Sequence, residues 1–383
     1  MRQKLFFYLL FSCIFLANSK NLSQDVALKV ARQFYSTEKL NCLEISNNSE
    51  KNLKVSSDSI STSGFFVVSK INSPGYILIA GNDENPTIIG FSNKGKVDSS
   101  RSLPPQLEYL IENYNKSGNF EKSRKSSGVP AKNYSLGAEK VLKTAPWGQE
   151  YPFNYNCPII EGIQSPTGCV PTAIGILMKY YNWPLQGKNS RLYFDYEDLQ
   201  TKNFDFSNFN PKWDLLKDNY EGVELSEEEL DAIGSLMREI GYGVSTSYGL
   251  YESGTIGDGL NIHMRRYFNF GHEIAQSYKE NLSEKEWNDK IKAEIDENRP
   301  LIYLANDVSS AHCFIIDGYN EEGLLHVNWG WDGYFNGFYD PELLNPLGTI
   351  FEPISMITGI GKPGKDDEKW GDAYPIKNQK FII

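Results

Sequence analysis

The run Val170 to Tyr181, VPTAIGILMKYY, is apolar almost all the way round a helix. A helix of that kind belongs in the interior of a protein. Gly168 permits a tight turn ahead of it, and Pro171 suits a first helical turn, where a missing amide removes no hydrogen bond. Cys169 is therefore expected at the helix N-terminus. Unpaired amides and the positive end of the helix dipole favour a thiolate there, below the free thiol pKa of roughly 8.5. Most free cysteines are small buried hydrophobes, so this stretch alone leaves a reactive and a structural reading equally open.

The residues downstream supply layers to enclose that helix. Glu227 to Ile240 places Leu230, Ile233, Leu236, Met237 and Ile240 on one face, with Ser226 as N-cap and Glu227 to Glu229 at the positive end. A further helix is expected from Ser283 to Glu297, closed before Pro300. The pattern then changes to strands at Leu301–Ala305, Cys313–Tyr319, Leu324–Trp329 and Gly337–Tyr339. Helices followed by strands point to an α+β domain with segregated layers.

The 383 residues are enough for a second unit. Arg2 and Lys4, the apolar stretch Leu5 to Ala17, and the small residues Ala17-Asn18-Ser19 read as a secretory signal, residues 1–19. The stretch is short for a membrane span. Leu10-Phe11-Ser12-Cys13 resembles a lipoprotein box, but Phe11 and the apolar run after Cys13 fit it poorly. From Leu22 an amphipathic helix with Val26, Val30 and Phe34 is followed by a Ser/Asn-rich loop to about Ser63. Apolar runs at 65–68, 76–80 and 87–91, separated by turn residues, form an antiparallel meander. After a helix opened by Pro104 and Pro105, carrying Leu107, Leu110 and Ile111 and ending in Ser117-Gly118, the basic, Ser/Gly-rich segment Glu121 to Lys132 is an exposed, easily cut linker. The expected units are 20–125 and 126–383.

With 38 basic against 49 acidic residues and no basic run, nucleic acid is not an expected partner. Once the signal is removed, Cys42, Cys157, Cys169 and Cys313 match no disulfide framework or zinc spacing. A reactive Cys169 needs a base. Of the four histidines, His312 precedes a strand and lies 143 residues after Cys169, with Asn328 and Trp329 following 16 and 17 residues later. Cys, His and Asn/Trp in that order is the layout of papain-like sites. His263, in a helix, and His326, on a strand, read as structural, and His272 as a loop residue. Cys313 should face away from His312 into the sheet packing. Gln149, twenty residues before Cys169, offers an N–H that, with the Cys169 amide, would bind an oxyanion.

The segments GQEYPFNYNCP, TGCVPTAIGILMKYYNWP, LMREIGYGVSTSYG, AHCFIIDGYN, LHVNWGWDGYFNGFYDPELLNP and ITGIGKP together resemble the streptopain family of bacterial papain-fold secreted cysteine proteases. GYILIAGNDENPTIIGFSNKG resembles that family's propeptide. The resemblance implies a papain-like fold, a helical layer on an antiparallel sheet, preceded by a small α+β inhibitory propeptide. It implies Cys169 as nucleophile, His312 as proton acceptor, Gln149 as oxyanion donor, and Asn328 and Trp329 as supports of the imidazole. Ser253, Gly254, Thr255 and the backbone at Ala311 would border the substrate cleft. Ala311 stands where the family has Gly, Pro171 replaces a more usual Ala, and the loop 250–259 departs in length.

The expected function is a secreted cysteine endopeptidase made as a zymogen, without metal or cofactor and monomeric once mature. Its partners would be protein substrates and its own propeptide. The alternatives are a non-catalytic binding protein on this fold and a papain-fold acyltransferase or amidase.

Overall fold

The computed structural model describes residues 22–35, 39–47, 53–56, 65–81, 86–98, 103–104, 107, 139–195, 199–306, 311–341, 344, 354–364 and 367. The signal, the linker at 121–132 and hence the expected unit boundary lie outside them, as does most of the helix expected to open at Pro104.

The N-terminal part opens with helix α1 (Gln24–Tyr35) and strands β1 (Leu40–Asn47), β2 (Leu53–Ser56), β3 (Phe65–Lys70), β4 (Tyr76–Gly81) and β5 (Pro86–Ser92). The meander β3–β4–β5 is antiparallel as the sequence implies. The Ser/Asn-rich stretch expected to be a loop instead contains β1 and β2, with β1 paired antiparallel to both β2 and β3. Ladder bonds to β3 are main-chain, so the polar side chains of LNCLEISN do not prevent pairing.

The rest runs β6 (Glu139–Val141), β7 (Ile159–Ile160), β8 (Ile163–Gln164), α2 (Cys169–Tyr181), β9 (Ser190–Asp195), β10 (Gln200–Asp205), α3 (Glu227–Gly243), α4 (Leu260–Phe268), β11 (Ala275–Tyr278) and α5 (Glu284–Asp296). It ends with β12 (Leu301–Asn306), β13 (Ala311–Asn320), β14 (Leu325–Asn328), β15 (Gly337–Tyr339) and β16 (Ser355–Thr358). Ser226 and Ser283 cap α3 and α5, each in a reciprocal capping box with the Glu three residues on. Nine residues of α2, Val170 to Met178, are buried. Enclosing Ile174, Ile176, Leu177 and Met178 contributes about 1.5–3 kcal/mol each.

One antiparallel sheet runs β11-β16-β12-β13-β14-β15-β5-β4-β3-β1-β2, with β6 also on β13. The join is at β15, where Phe338 and Tyr339 stand opposite Phe91 and Gly90. Strand alternation sorts the side chains of β13. Cys313 and Ile315 face the core around α2, α3 and α4. Phe314 and Ile316 face a second core with Trp287 and Ile291 of α5 and with Phe65, Val67, Tyr76 and Leu78 of the meander. The meander's other face, Phe66, Val68, Ile77 and Ile79, packs against α1.

Candidate active site

Cys169 is the first residue of α2, and the turn before it requires glycine. Gly168 has φ 87° and ψ 154°, a region open essentially to Gly. A Cβ there would also lie 2.7 Å from the Ser253 carbonyl oxygen. Pro171 falls in the first turn and removes no helix bond, so its departure from the usual Ala is structurally neutral. The Thr172 hydroxyl donates to the Gly168 oxygen at 2.9 Å and meets the Thr167 hydroxyl at 2.7 Å, fixing the approach to Cys169.

The Cys169 thiol receives backbone N–H groups from Cys313, Val170 and its own residue. These favour the thiolate, but burial outweighs them and pushes the thiol up. The thiol thus sits against β13, beside the residue that follows His312.

The imidazole of His312 lies beside Phe314, two residues on along β13. It stacks on Phe314 with centroids 6.2 Å apart and meets the edge of Trp331 at 6.4 Å. Its Nε2 lies 3.3 Å from the Trp329 carbonyl oxygen. A carbonyl only accepts, so Nε2 carries the proton and Nδ1 is bare. Burial lowers His312 to about 4, against a smaller raising effect of that carbonyl. Thiol and imidazole are both neutral at pH 7 in this arrangement.

Gln149 is brought close to the start of α2, its main-chain carbonyl accepting the Thr167 amide at 2.9 Å, two residues before Cys169. The Ser253 hydroxyl donates to the Pro166 oxygen at 2.7 Å, and Gly254 exchanges two main-chain bonds with Ser247. Thr255 meets the Thr246 hydroxyl at 2.9 Å. This loop therefore packs against the segment leading to Cys169. Ala311 opens β13.

Asn328 ends β14, buried, and its side chain is fully assigned by its neighbours. Nδ2 donates to the Thr144 hydroxyl at 2.9 Å and to the Ala145 oxygen at 3.0 Å, while Oδ1 accepts the Gly330 amide at 3.1 Å. The Trp329 indole is completely buried and donates to the Phe335 oxygen at 2.9 Å.

The sequence reading singled out neither Trp331 nor Phe314, which hold the imidazole, nor Thr144 and Asp317, which contact Asn328 directly or through one another. Their only sequence signal is nearness in number to His312 and Asn328 or, for Thr144, to Gln149. His326 is structural as expected, its Nδ1 donating to Asp317 at 2.5 Å.

Known proteins fit this picture. Residues 19–117 match the Spi protease inhibitor family, and residues 147–339 match the Peptidase C10 family. The chain is 31% identical over 335 residues to the thiol protease/hemagglutinin PrtT of Porphyromonas gingivalis, covering 82% of this chain but only 37% of that protein. It is 27% identical over 310 residues to streptopain of Streptococcus pyogenes, covering 74% of this chain and 75% of streptopain. Among solved structures, a fragment of Prevotella intermedia prointerpain A superposes with TM-score 0.65 at 27% identity, covering 80% of this chain and 98% of the fragment. Active interpain A superposes with TM-score 0.51 at 30% identity, covering 57% and 94%. With the family match covering half of the chain and the thiol protease, streptopain and interpain A likenesses beside it, this chain belongs to the Peptidase C10 family of cysteine proteases.

Proposed function

We propose that the protein is a secreted cysteine endopeptidase made as a zymogen, with Cys169 as nucleophile and His312 as its proton partner. The observation that carries the reading is the placement of the Cys169 thiol, at the N-terminus of a buried helix and against the strand on which His312 lies. In the working enzyme the Cys169 thiolate attacks the peptide carbonyl and His312 protonates the leaving amine. Water activated by His312 then releases the acyl group. Gln149 and the Cys169 amide would hold the oxyanion, and the loop at Ser253 to Thr255, with Ala311, would border the substrate. The apolar leader fits export, and among the described residues no helix is long and apolar enough to cross a membrane.

The zymogen part rests on the inhibitor-family match of residues 19–117 and on the bonds between that N-terminal part and the loop after Trp329. With the N-terminal part docked, the imidazole Nε2 lies 3.3 Å from the Trp329 oxygen at the start of that loop. The residues of the loop beyond Trp329 are held by that N-terminal part. Tyr76 donates to the Phe335 oxygen at 2.5 Å, Phe335 donates its amide to the Lys96 oxygen at 3.0 Å, and Lys96 pairs with Glu221.

The test is incubation of the purified precursor under reducing conditions beside Cys169→Ala, followed by intact mass and casein cleavage. Wild type should lose its N-terminal part and degrade casein, and Cys169→Ala should stay whole and inert. If neither cleaves casein after the linker has been cut by an added protease, the endopeptidase reading fails.

A further inference from the structure

Asn328 ends a chain of hydrogen bonds that reaches away from the site. Asp317 on β13 is buried, and one carboxylate oxygen accepts from His326 Nδ1 at 2.5 Å. The other accepts the Thr144 hydroxyl proton. The Thr144 oxygen in turn accepts Nδ2 of Asn328. The polarity of this chain is not free. A carboxylate can only accept, so the single hydroxyl proton of Thr144 goes to Asp317 and the hydroxyl faces Asn328 with lone pairs alone. Only the NH2 side of the Asn328 amide can meet it, which leaves Oδ1 on the other side.

The Gly330 amide takes one lone pair of Oδ1. The second lone pair is not used by Gly330, and Asn328 adjoins Trp329, whose carbonyl oxygen lies 3.3 Å from His312 Nε2. The same anchor fixes the neighbouring main chain: Leu142 donates its amide to the Asp317 oxygen at 2.8 Å, and Ala145, the other acceptor of Nδ2, follows Thr144 directly. The bulge in the β13–β14 register between Ile316 and Gly318 lies at Asp317, where a strand can re-aim a side chain.

We propose that Thr144, anchored on Asp317, is a positioning residue for the reaction: it holds the Asn328 amide so that Oδ1 is presented to the imidazolium of His312. This rests on the endopeptidase reading above for its substrate assay, but not for its second readout. Without the hydroxyl, a buried N–H of Asn328 loses its partner and the amide is held by the Ala145 oxygen and the Gly330 amide alone, so the imidazolium's acceptor is held less firmly.

The test compares matured wild type, Thr144→Val and Thr144→Ser. The readouts are kcat and KM on a fluorogenic peptide from pH 5 to 9, and the iodoacetamide rate of Cys169 over the same range. Thr144→Val should lower kcat by about tenfold with KM within about twofold, and move the alkaline limb of both profiles down by about one pH unit, the loss of one hydrogen bond to the charged form. Thr144→Ser, which keeps the hydroxyl, should restore both. Wild-type kcat and limb in Thr144→Val, or a loss in Thr144→Ser equal to that in Thr144→Val, would overturn the proposal.

Should Thr144→Val not fold, Thr144→Ala removes the hydroxyl without bulk and is read by the same outcomes. A wild type that cleaves no peptide, yet shows an alkylation limb that moves in Thr144→Val, leaves the relay standing and removes the endopeptidase reading. An unmoved limb removes the relay whatever the peptide assay gives.

Discussion

The protonation states of two residues separate the precursor from a working enzyme. Burial pushes the Cys169 thiol up and holds His312 at about 4. Iodoacetamide should therefore modify Cys169 slowly in the precursor at pH 6, with a rate that climbs through the alkaline range as for a lone thiol. After removal of the N-terminal part the rate at pH 6 should rise at least tenfold, about 1.4 kcal/mol or more. A Cys42→Ser background keeps the count clean, since Cys157, pushed up to about 12, and Cys313 are buried and unreactive.

The same shift makes the precursor acid-sensitive. An imidazole whose folded value lies below its unfolded one of about 6.5 contributes stability that is present above pH 6.5 and lost as pH falls towards 4. For His312 the full effect is on the order of 3 kcal/mol. His263, also lowered to about 4 by burial and by Arg191 and Arg266, acts in the same direction. Glu239, raised to about 7 by burial, acts in the opposite one, because the folded state holds its proton where the unfolded state has lost it. The contribution of His312 is thus a difference. Thermal melts between pH 7 and 4 should show a smaller acid loss in precursor His312→Gln than in wild type, and parallel curves would contradict the assigned burial. Cys169 and His312 were legible in the sequence because their spacing and their places at a helix start and a strand start are local features. The burial of the imidazole was not, because it depends on Phe314, Trp329 and Trp331 closing around it.

Among the elements, those with strong local signals came out of the sequence nearly whole. Helices α3 and α5 start where their capping serines predict, and β15 has the expected bounds. The hairpin β9–β10 was not anticipated: Tyr193 and Phe204 turn to the core, but Leu192 and Phe194 beside them are exposed, so the apolar residues of the hairpin do not alternate with polar ones. Strands β11 and β16 were missed as well, because each is a four-residue strand completed only by its partner. The junction between the loop and α2 carries a sharp prediction. Gly168→Ala sets a methyl group 2.7 Å from the Ser253 oxygen in a backbone region that alanine avoids. Strain of about 1–3 kcal/mol is expected, with relief by movement of the Cys169 turn or the Ser253 loop. The melting temperature of matured Gly168→Ala should fall, and casein cleavage should fall more than tenfold. Gly254→Ala, where an added Cβ meets nothing within 4 Å, should leave the melting temperature unchanged.

Across the whole molecule, the sequence indicated a meander followed by an α+β unit but not that they share one sheet. The pairing of Phe91 with Phe338 links residues nearly 250 positions apart, and no local periodicity encodes it. That joint is tight. A Cβ on Gly90 would lie 2.6 Å from the ring of Tyr339, which is fully buried and has no room to retreat. Tyr339 also meets the Tyr76 hydroxyl at 2.9 Å, in the group of bonds around the Phe335 oxygen that ties the N-terminal part to the loop after Trp329. If this joint keeps the N-terminal part docked, loosening it should shorten latency without touching the enzyme itself. Gly90→Val places two branches against Tyr339 while suiting a strand. Overpacking of this kind costs about 1–3 kcal/mol, enough to raise the undocked fraction roughly tenfold or more. The precursor carrying Gly90→Val should mature about tenfold sooner under reducing conditions. Once trimmed it is identical in sequence to matured wild type, so its kcat and KM must coincide. An unchanged maturation time in a precursor that still folds would mean that the sheet joint is not what keeps the precursor latent.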